Sequence, residues 1–288
     1  MIKHAPAWRE RLDACRSAGR RVGLVPTMGA LHAGHMSLIR RAAGDCGPDG
    51  VVAVTDYVNP LQFGAGEDLA AYPKDLERDV RLAEEAGAHL LFAPTPEDLW
   101  PEPGRTNVGV DGLTWRMEGS HRPGHFDGVT TIVAKLFNLT GPCWAYFGEK
   151  DFQQLAVIRR MVADLDMPVE VIGLPTVRDP DGLALSSRNA YLTAEERQIA
   201  PNLYYALLAG KRAIEDEGFD DPGKVESIMA EHLARYPQFK LDYAEVGDPG
   251  DLTRPERITR EVRLFIAARL GRARLIDNVA ANPPSAEG

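Results

Sequence analysis

Short apolar runs alternate with amphipathic segments over the first 175 residues of the chain. Runs rich in β-branched residues predict buried strands, and apolar positions spaced three and four apart predict helices. The predicted strands are residues 21–26, 51–58, 89–92, 144–147 and 169–174. The predicted helices are residues 36–43, 75–86, 128–139 and 157–164. This alternation predicts parallel βαβ units and a Rossmann-like, doubly wound α/β sheet.

The pattern changes after Pro175, where a turn at residues 179–182 is followed by a helical stretch from Ala194 to about Glu217. Strand-like segments follow at residues 241–246 and 262–267. We expect a nucleotide-type domain over residues 1–176 and a smaller, lid-like α+β domain over residues 177–282. The chain after Val279 is expected to fray, with residues 283–288 as a disordered tail.

The amino-acid composition limits the classes of function that the chain can have. The 288 residues are 44% hydrophobic and 26% charged, as in ordinary globular proteins. A net charge of −9 argues against nucleic-acid or anionic-membrane partners, but leaves room for a local basic pocket. Cys15, Cys46 and Cys143 lack metal-ligand spacing and predict buried thiols in a reducing compartment. Without a signal pattern or a long apolar run, a cytoplasmic location is expected.

The segment between the first predicted strand and helix has the form expected of a phosphate site. Its residues are Met28, Gly29, Ala30, Leu31, His32, Ala33, Gly34 and His35. Glycines let backbone N–H groups approach a phosphate, and the helix N-terminus adds a partial positive charge. Two imidazoles three residues apart could donate to phosphoryl oxygens. The alternative is a pair of surface or metal-binding histidines, although a zincin helix needs the order His-Glu-x-x-His.

Two further charged turns are candidates for phosphate contacts. The first contains Gly148, Glu149, Lys150 and Asp151, and the second Leu185, Ser186, Ser187 and Arg188. Lys150 could neutralise a phosphate, while Glu149 or Asp151 could bind ribose or help to hold Mg²⁺. Two hydroxyls and a guanidinium could clamp phosphates. The alternative for the first turn is a solvated turn at a strand end, and the alternative for the second is a helix N-cap leading into residues 191–196.

Neutral amides form the last candidate group. Gln62 follows the second strand and Gln154 follows the Lys150 turn, and carboxamides bind a hydroxy acid without titrating. The alternative for Gln62 is a cap at the strand end, and the alternative for Gln154 is a position on a helix surface. These candidate stretches all follow strand ends, where open parallel sheets bind ligands. The turn at residues 122–126 is either anion-facing or structural. The face of residues 77–85 that is rich in Glu, Asp and Arg is expected to be solvated surface.

Together these stretches resemble the pantothenate synthetases (pantoate–β-alanine ligases), a family of the nucleotidyltransferase superfamily that carries an HxGH motif. The matching segments are residues 25–35, 59–64, 118–138, 146–155, 175–189 and 267–278. The resemblance implies that pantoate attacks the α-phosphorus of Mg-ATP, giving pantoyl adenylate and pyrophosphate. The amine of β-alanine then attacks the acyl carbon, releasing pantothenate and AMP. It also implies a cytoplasmic homodimer with ATP, pantoate and β-alanine as its small-molecule partners.

The resemblance also assigns roles to residues of this chain. His35 is implied as the proton donor and His32 as a phosphate partner, within an ATP site lined by residues 28–35. The residues implied to face phosphates are Lys150, Ser186, Ser187 and Arg188. Those implied to complete the nucleotide site are Gly148, Glu149, Asp151, Val177 and Leu185. Gln62 and Gln154 are implied to hold pantoate, with Gln62 also near β-alanine, and no protein ligand of Mg²⁺ is assigned.

One position departs from the family, and two other functions remain open. Asp56 stands where the family usually has a hydrophobic residue, and we expect its carboxyl to be paired, partly solvated or protonated. A nucleotidyltransferase making a dinucleotide or a CDP-alcohol would share the HxGH motif but would not need Gln62 and Gln154. A non-catalytic nucleotide-binding regulator would be expected to lose His35, Lys150 or Arg188.

Overall fold

The structure, a computed structural model, describes residues 1–102 and 104–284. The chain forms two compact units. The first unit contains Met1–Thr114, Glu118–Glu149 and Val157–Pro175, and the second contains Trp115–Met117, Lys150–Ala156 and the chain from Thr176 onwards. The expected domain boundary at residues 176/177 stays a prediction. Of the expected tail at 283–288, residues 285–288 lie outside the described residues.

The first unit is built on a five-stranded parallel sheet with the strand order β3-β2-β1-β4-β5. Its strands are β1 Val22–Thr27, β2 Val51–Asp56, β3 Leu90–Phe92, β4 Cys143–Gly148 and β5 Val169–Leu174. Val22 of β1 lies opposite Val51 of β2, and Gly23 of β1 lies opposite Trp144 of β4. The chain order reverses beside β1, so the carboxyl end of this central strand is where ligands bind in such sheets.

Helices flank this sheet. They are α1 Ala5–Ser17, α2 Ala33–Cys46, α3 Leu76–Glu85, α4 Pro96–Leu99, α5 Glu118–His121 and α6 His125–Thr140, while α7 Phe152–Asp164 contributes residues to both units. Val25, Val52 and Val54 of the strands pack with Ile39 of α2 and Tyr146 of β4 in one buried cluster. Burial of these side chains fixes the positions of β1, which ends before the HxGH segment, and of α2, which begins within it.

The second unit contains a three-stranded antiparallel sheet in the order β6-β7-β8. Its elements are α8 Ala194–Ile199, α9 Asn202–Glu215, α10 Pro222–Ala234, β6 Phe239–Gly247, β7 Val262–Leu270 and β8 Ala273–Ala281. The helices α9 and α10 pack closely because Gly210 lacks a side chain, and a Cβ there would lie 2.7 Å from Met229 Cγ. This unit therefore has its own core, which includes Leu207, Met229 and Leu264.

The observed architecture confirms the predicted fold class of a parallel α/β sheet followed by a smaller α+β part. The helical stretch expected from Ala194 to about Glu217 is present but divided into α8 and α9, which are separated at Pro201, a residue that cannot donate a backbone hydrogen bond. The expected fraying directly after Val279 is also wrong, because Ala281 pairs with Val262 and is fully buried. Among the described residues, no helix combines the length and apolar character needed to cross a membrane.

Candidate active site

The turn that follows β1 has an unusual backbone. Gly29 has φ +77° and Ala30 has φ +50°, so two consecutive residues adopt left-handed conformations. For alanine this region costs about 1–2 kcal/mol relative to a right-handed conformation. Other contacts must therefore hold the turn, which leads directly to His32 at the N-cap of α2.

The side chain of Asp79, on α3, supplies those contacts. The N–H of Ala30 donates to Asp79 Oδ2 at 2.7 Å, and the N–H of Leu31 donates to Oδ1 at 2.8 Å. Asp79 is fully buried, so the expectation that the charged face of residues 77–85 is solvated is wrong at this position. Two charge-assisted hydrogen bonds offset the burial of the carboxylate. It thus fixes the backbone of the predicted ATP turn.

His32 and His35 lie together at the start of α2. The N–H of Gly34 donates to His32 Nδ1 at 3.2 Å, and the N–H of His32 donates to His35 Nδ1 at 3.3 Å. The ring centroids are 4.1 Å apart. Because both Nδ1 atoms accept hydrogen bonds, each neutral ring carries its proton on Nε2. Gly34 is required under this pair, since a Cβ there would lie 2.9 Å from His32 Cε1.

Gln62 is held beside the same turn. It ends the 3₁₀ turn Pro60–Gln62 that follows β2, and it is almost fully buried. Asn59 Nδ2 donates to Gln62 Oε1 at 3.1 Å, and Gln62 Nε2 lies 3.0 Å from Met28 Sδ. The structure therefore brings the predicted residues Met28 and Gln62 together and fixes the orientation of the amide.

The backbone of Gln62 is held by the turn before α6. His125 Nδ1–H donates to the carbonyl oxygen of Gln62 at 2.8 Å, and Arg122 donates to His125 Nε2 at 3.0 Å. Burial, with the nearby Arg122 charge, lowers the pKa of His125 to about 4, so this ring is neutral. Arg122 also forms ion pairs with Glu67 at 2.7 Å and Glu118 at 3.5 Å. These contacts favour the structural interpretation of the 122–126 turn.

In the second unit, Lys150 lies in the 3₁₀ turn Glu149–Asp151, which directly precedes α7. Its Nζ is 3.7 Å from Asp151 Oδ1. Gln153 Nε2 donates to the carbonyl oxygen of Arg116 at 2.9 Å and is buried, whereas Gln154 is partly exposed. The structure thus separates the two adjacent glutamines, and Gln154 is the one that remains accessible to a ligand.

The Ser186 segment follows a short hairpin in the second unit. The N–H of Leu185 donates to the carbonyl oxygen of Val177 at 3.0 Å, which brings these two predicted residues together. Ser186 Oγ accepts a hydrogen bond from the N–H of Arg188 at 3.3 Å and caps the 3₁₀ helix Ser187–Tyr191. Ser186 is therefore an N-cap, but of this 3₁₀ helix and not of a helix over residues 191–196. The Ser186 hydroxyl keeps its own proton to donate.

A profile of the family described as Pantoate-beta-alanine ligase matches residues 1–280 of the 288. The chain belongs to the pantoate–β-alanine ligase family. A pantothenate synthetase of Heliobacterium modesticaldum is 51% identical over 278 residues, which cover 96% of each chain. The crystal structure of pantothenate synthetase from Thermus thermophilus has a TM-score of 0.91 at 48% identity, covering 98% of this chain and 99% of that one.

A third relative has a title that states its ligands. It is a pantoate-beta-alanine ligase structure from Francisella tularensis, complexed with beta-gamma ATP and beta-alanine. Its TM-score is 0.79 at 32% identity, and the match covers 97% of both chains. The match to a ligase family over almost the whole chain confirms the resemblance inferred from the sequence motifs.

Asp56, the residue that departs from the ligase pattern, ends β2 beside the predicted ATP turn. A Cβ on Gly29 would lie 2.5 Å from Asp56 Oδ1 and 3.1 Å from Asp79 Oδ2, so both carboxylates approach the chain where it has no side chain. Burial raises the pKa of Asp56 to about 6, and the charge of Asp79 adds to the shift. Asp56 is partly exposed, as one of the sequence alternatives expected.

Several residues of this candidate site have no role predicted from the sequence. The sequence pattern indicates that Asp79 is buried, because it lies on the apolar face of α3 with Leu76, Val80 and Ala83, at helical spacings of three and four. A charged residue on such a face indicates a buried contact. His125 had no comparable signal, since its partner is a backbone carbonyl in a distant turn.

Proposed function

We propose that the chain joins pantoate to β-alanine in two steps, through a pantoyl-adenylate intermediate. In the first step, the pantoate carboxylate attacks the α-phosphorus of ATP and pyrophosphate leaves. In the second, the amine of β-alanine attacks the acyl carbon, the C–O bond to the phosphate breaks, and AMP leaves. Membership of the ligase family supports the overall reaction. The Francisella tularensis relative, complexed with beta-gamma ATP and beta-alanine, supports these two molecules as substrates.

The observation that carries this proposal is the histidine pair at the N-terminus of α2. Both rings accept backbone hydrogen bonds at Nδ1, which directs their protons to Nε2. We assign His35 as the proton donor to the phosphates and His32 as a phosphate partner. The N-terminus of a helix also favours the negative charge that develops as pyrophosphate leaves. The turn residues Met28–Leu31 and the adjacent Ala33 and Gly34 complete this part of the ATP site.

The second unit contributes cations and hydroxyls to the same reaction. A carboxylate must approach a polyanion, so charge neutralisation and positioning dominate the barrier. We assign Lys150 and Arg188 to the phosphates as catalytic residues, and Ser186 and Ser187 as ATP-binding residues that also face the phosphates. The remaining nucleotide-binding residues in the proposal are Gly148, Glu149, Asp151, Val177 and Leu185. The reaction requires no covalent enzyme nucleophile.

Gln62 and Gln154 are proposed to bind pantoate, and Gln62 also lies near β-alanine in this scheme. Neutral amides suit the task because a fixed carboxylate would repel the substrate. The amide of Gln62 is oriented by Asn59, so it binds with little loss of side-chain entropy. A nucleotidyltransferase for dinucleotides or CDP-alcohols has no use for such an oriented amide.

Mg²⁺ is proposed to enter with ATP, bound mainly by phosphates and water. Within the described part of the chain, no group of three or more His, Cys, Asp or Glu residues is arranged to hold a metal ion. The Asp79 carboxylate already accepts two backbone N–H groups. A cytoplasmic homodimer also stays a prediction.

The test is to follow an oxygen label. With ATP, β-alanine and pantoate labelled with ¹⁸O in its carboxylate, the mechanism places one label in AMP and none in pyrophosphate. Pyrophosphate should require pantoate, and AMP should require all three substrates. Label appearing in pyrophosphate, or pyrophosphate formed at an equal rate without pantoate, would overturn the adenylate mechanism. Nucleotidyl transfer to a different acceptor, with no turnover of pantoate, would favour the dinucleotide alternative.

A further inference from the structure

Two consecutive residues of β8 contact two different segments that carry predicted ATP-binding residues. The first contact involves Asn278, which is 3% exposed. Its Nδ2 donates to the carbonyl oxygen of Lys150 at 2.8 Å, and its Oδ1 accepts from Arg263 Nε at 2.7 Å. Asn278 therefore fixes the main chain at the residue whose ammonium group is assigned to the phosphates.

The second contact involves Asp277, which is 4% exposed. It accepts hydrogen bonds from both terminal nitrogens of Arg178, with Arg178 Nη2 at 2.9 Å from Oδ1. Arg178 also donates to the carbonyl oxygen of Gly182 at 3.1 Å. Arg178 and Gly182 lie in the hairpin of residues 177–185, which leads directly to Ser186. The carboxylate thus anchors the hairpin before the proposed phosphate-binding segment.

The burial of this pair interrupts the pattern of β8. Residues 273–277 alternate between buried and partly exposed, but Asp277 and Asn278 are both buried. Neighbouring residues of a strand point to opposite faces, so a pair buried on both faces can contact two segments at once. The pair is also linked internally, since the N–H of Asn278 donates to Asp277 Oδ1 at 2.8 Å. A buried ion pair contributes little net stability, which leaves positioning as the better explanation of its presence.

We propose that Asp277 and Asn278 are positioning residues for phosphate binding, one acting through the 177–185 hairpin and the other through Lys150. This inference rests on the proposed function, because it needs Lys150 and the Ser186–Arg188 segment to contact ATP. Neither residue of the pair is assigned a contact with substrate. A displacement of either segment by about 1 Å is enough to reduce catalysis strongly.

Asn278→Asp tests the contact with Lys150. The variant keeps an oxygen for Arg263 but replaces the N–H donor to the Lys150 carbonyl by a second acceptor. Pantoate-dependent exchange of pyrophosphate into ATP should fall about tenfold in kcat, with the KM for pantoate unchanged. In a Lys150→Ala background the same change should cause no further loss, because Asn278 acts through Lys150. An exchange rate in Asn278→Asp equal to that of the wild type would overturn the proposal. So would a double variant in which the losses of the two single variants multiply.

Asp277→Asn tests the hairpin with a different readout. Without the charge that holds Arg178, native-state cleavage by trypsin after Arg178 or Arg188 should accelerate at least severalfold. Cleavage at the wild-type rate would contradict the anchoring role of Asp277. Asp242→Asn is the matched control, since it weakens the Asp242–Arg274 pair, at 2.7 Å in the same sheet, and should change neither readout. Wild-type protein without pantoate-dependent exchange would overturn the proposed function, and this inference with it.

Discussion

Each unit contains a buried carboxylate that supports its own set of predicted ATP-binding residues, and the two work differently. Asp79 accepts hydrogen bonds from two backbone N–H groups of the turn itself. Asp277 accepts from the side chain of Arg178, which in turn holds a hairpin. The histidine turn is therefore fixed at its main chain, while the hairpin is fixed through a long side chain. We expect the first arrangement to be the more rigid and the more costly to disturb.

Removing the carboxylate of the first unit should have the largest effect on stability. Asp79→Ala leaves the partly buried N–H of Ala30 and the buried N–H of Leu31 without their acceptor, and losing an acceptor costs about 1–3 kcal/mol for a buried group. The free energy of unfolding, measured by urea denaturation, should fall by roughly 3 kcal/mol. Glu84→Ala, an exposed change on the same helix, is the control. A loss below about 1 kcal/mol would show that the turn does not depend on Asp79.

Activity should respond most strongly to the side chains that are proposed to face the phosphates. His35→Ala and Lys150→Ala should each lower kcat by on the order of 10² or more, the usual effect of losing one transition-state donor. Production of AMP from ATP, pantoate and β-alanine measures this loss. His4→Ala and Lys240→Ala, at exposed positions, are the matched controls. Normal turnover in either site variant would remove that residue from the mechanism.

Some elements of the fold can be predicted from the sequence and others cannot. The predicted strands and the HxGH segment follow from local patterns, because apolar runs bury together and strand ends meet at one edge of a parallel sheet. Strand β8 was not predicted, since Asp277 and Asn278 interrupt its apolar pattern and are rare in strands. Helix α10 was missed because Pro222 and Gly223 suggest a turn, although proline suits the first turn of a helix.

The supporting contacts of the site are harder to predict. Asn278 and Lys150 are 128 residues apart, and Asp79 and Ala30 are 49 apart. Only the tertiary fold brings such pairs together. The apolar face of α3 marks Asp79 as buried, but nothing in the sequence names its partner. Similarly, Gln153 and Gln154 are equivalent in the sequence, but the structure buries Gln153, which donates to the carbonyl of Arg116, and leaves Gln154 partly exposed.

Asp56 offers a way to vary the electrostatics around Asp79. Its pKa in the folded chain is raised to about 6, above the usual 3.8, by burial first and by Asp79 on α3 second. Such a group stabilises the fold most below the unfolded pKa, and this contribution is lost as the pH rises through 6. Asp56→Asn should therefore raise the free energy of unfolding at pH 7.5 by on the order of 2 kcal/mol, allowing for partial exposure, and by much less at pH 4.5.

Urea denaturation at the two pH values checks this prediction. Exposed Asp49→Asn is the control and should give similar small changes at both. An equal gain for Asp56→Asn at both pH values would mean that its ionisation is not the cause. A loss of stability at pH 7.5 would show that the ionised carboxylate of Asp56 is favourable where it lies, for example through a bound cation.

The smallest expected effect concerns the strained residue that Asp79 holds. Ala30→Gly relieves a left-handed conformation that costs alanine about 1–2 kcal/mol, but glycine loses about 0.5–1 kcal/mol more conformational entropy on folding. The free energy of unfolding should rise by about 0.5 kcal/mol in urea denaturation. In the Asp79→Ala background the gain should be smaller, because a turn released from the carboxylate can relax without the substitution. Equal gains in both backgrounds would mean that Asp79 does not impose the conformation of Ala30, and that the turn is set by the chain between β1 and α2 alone.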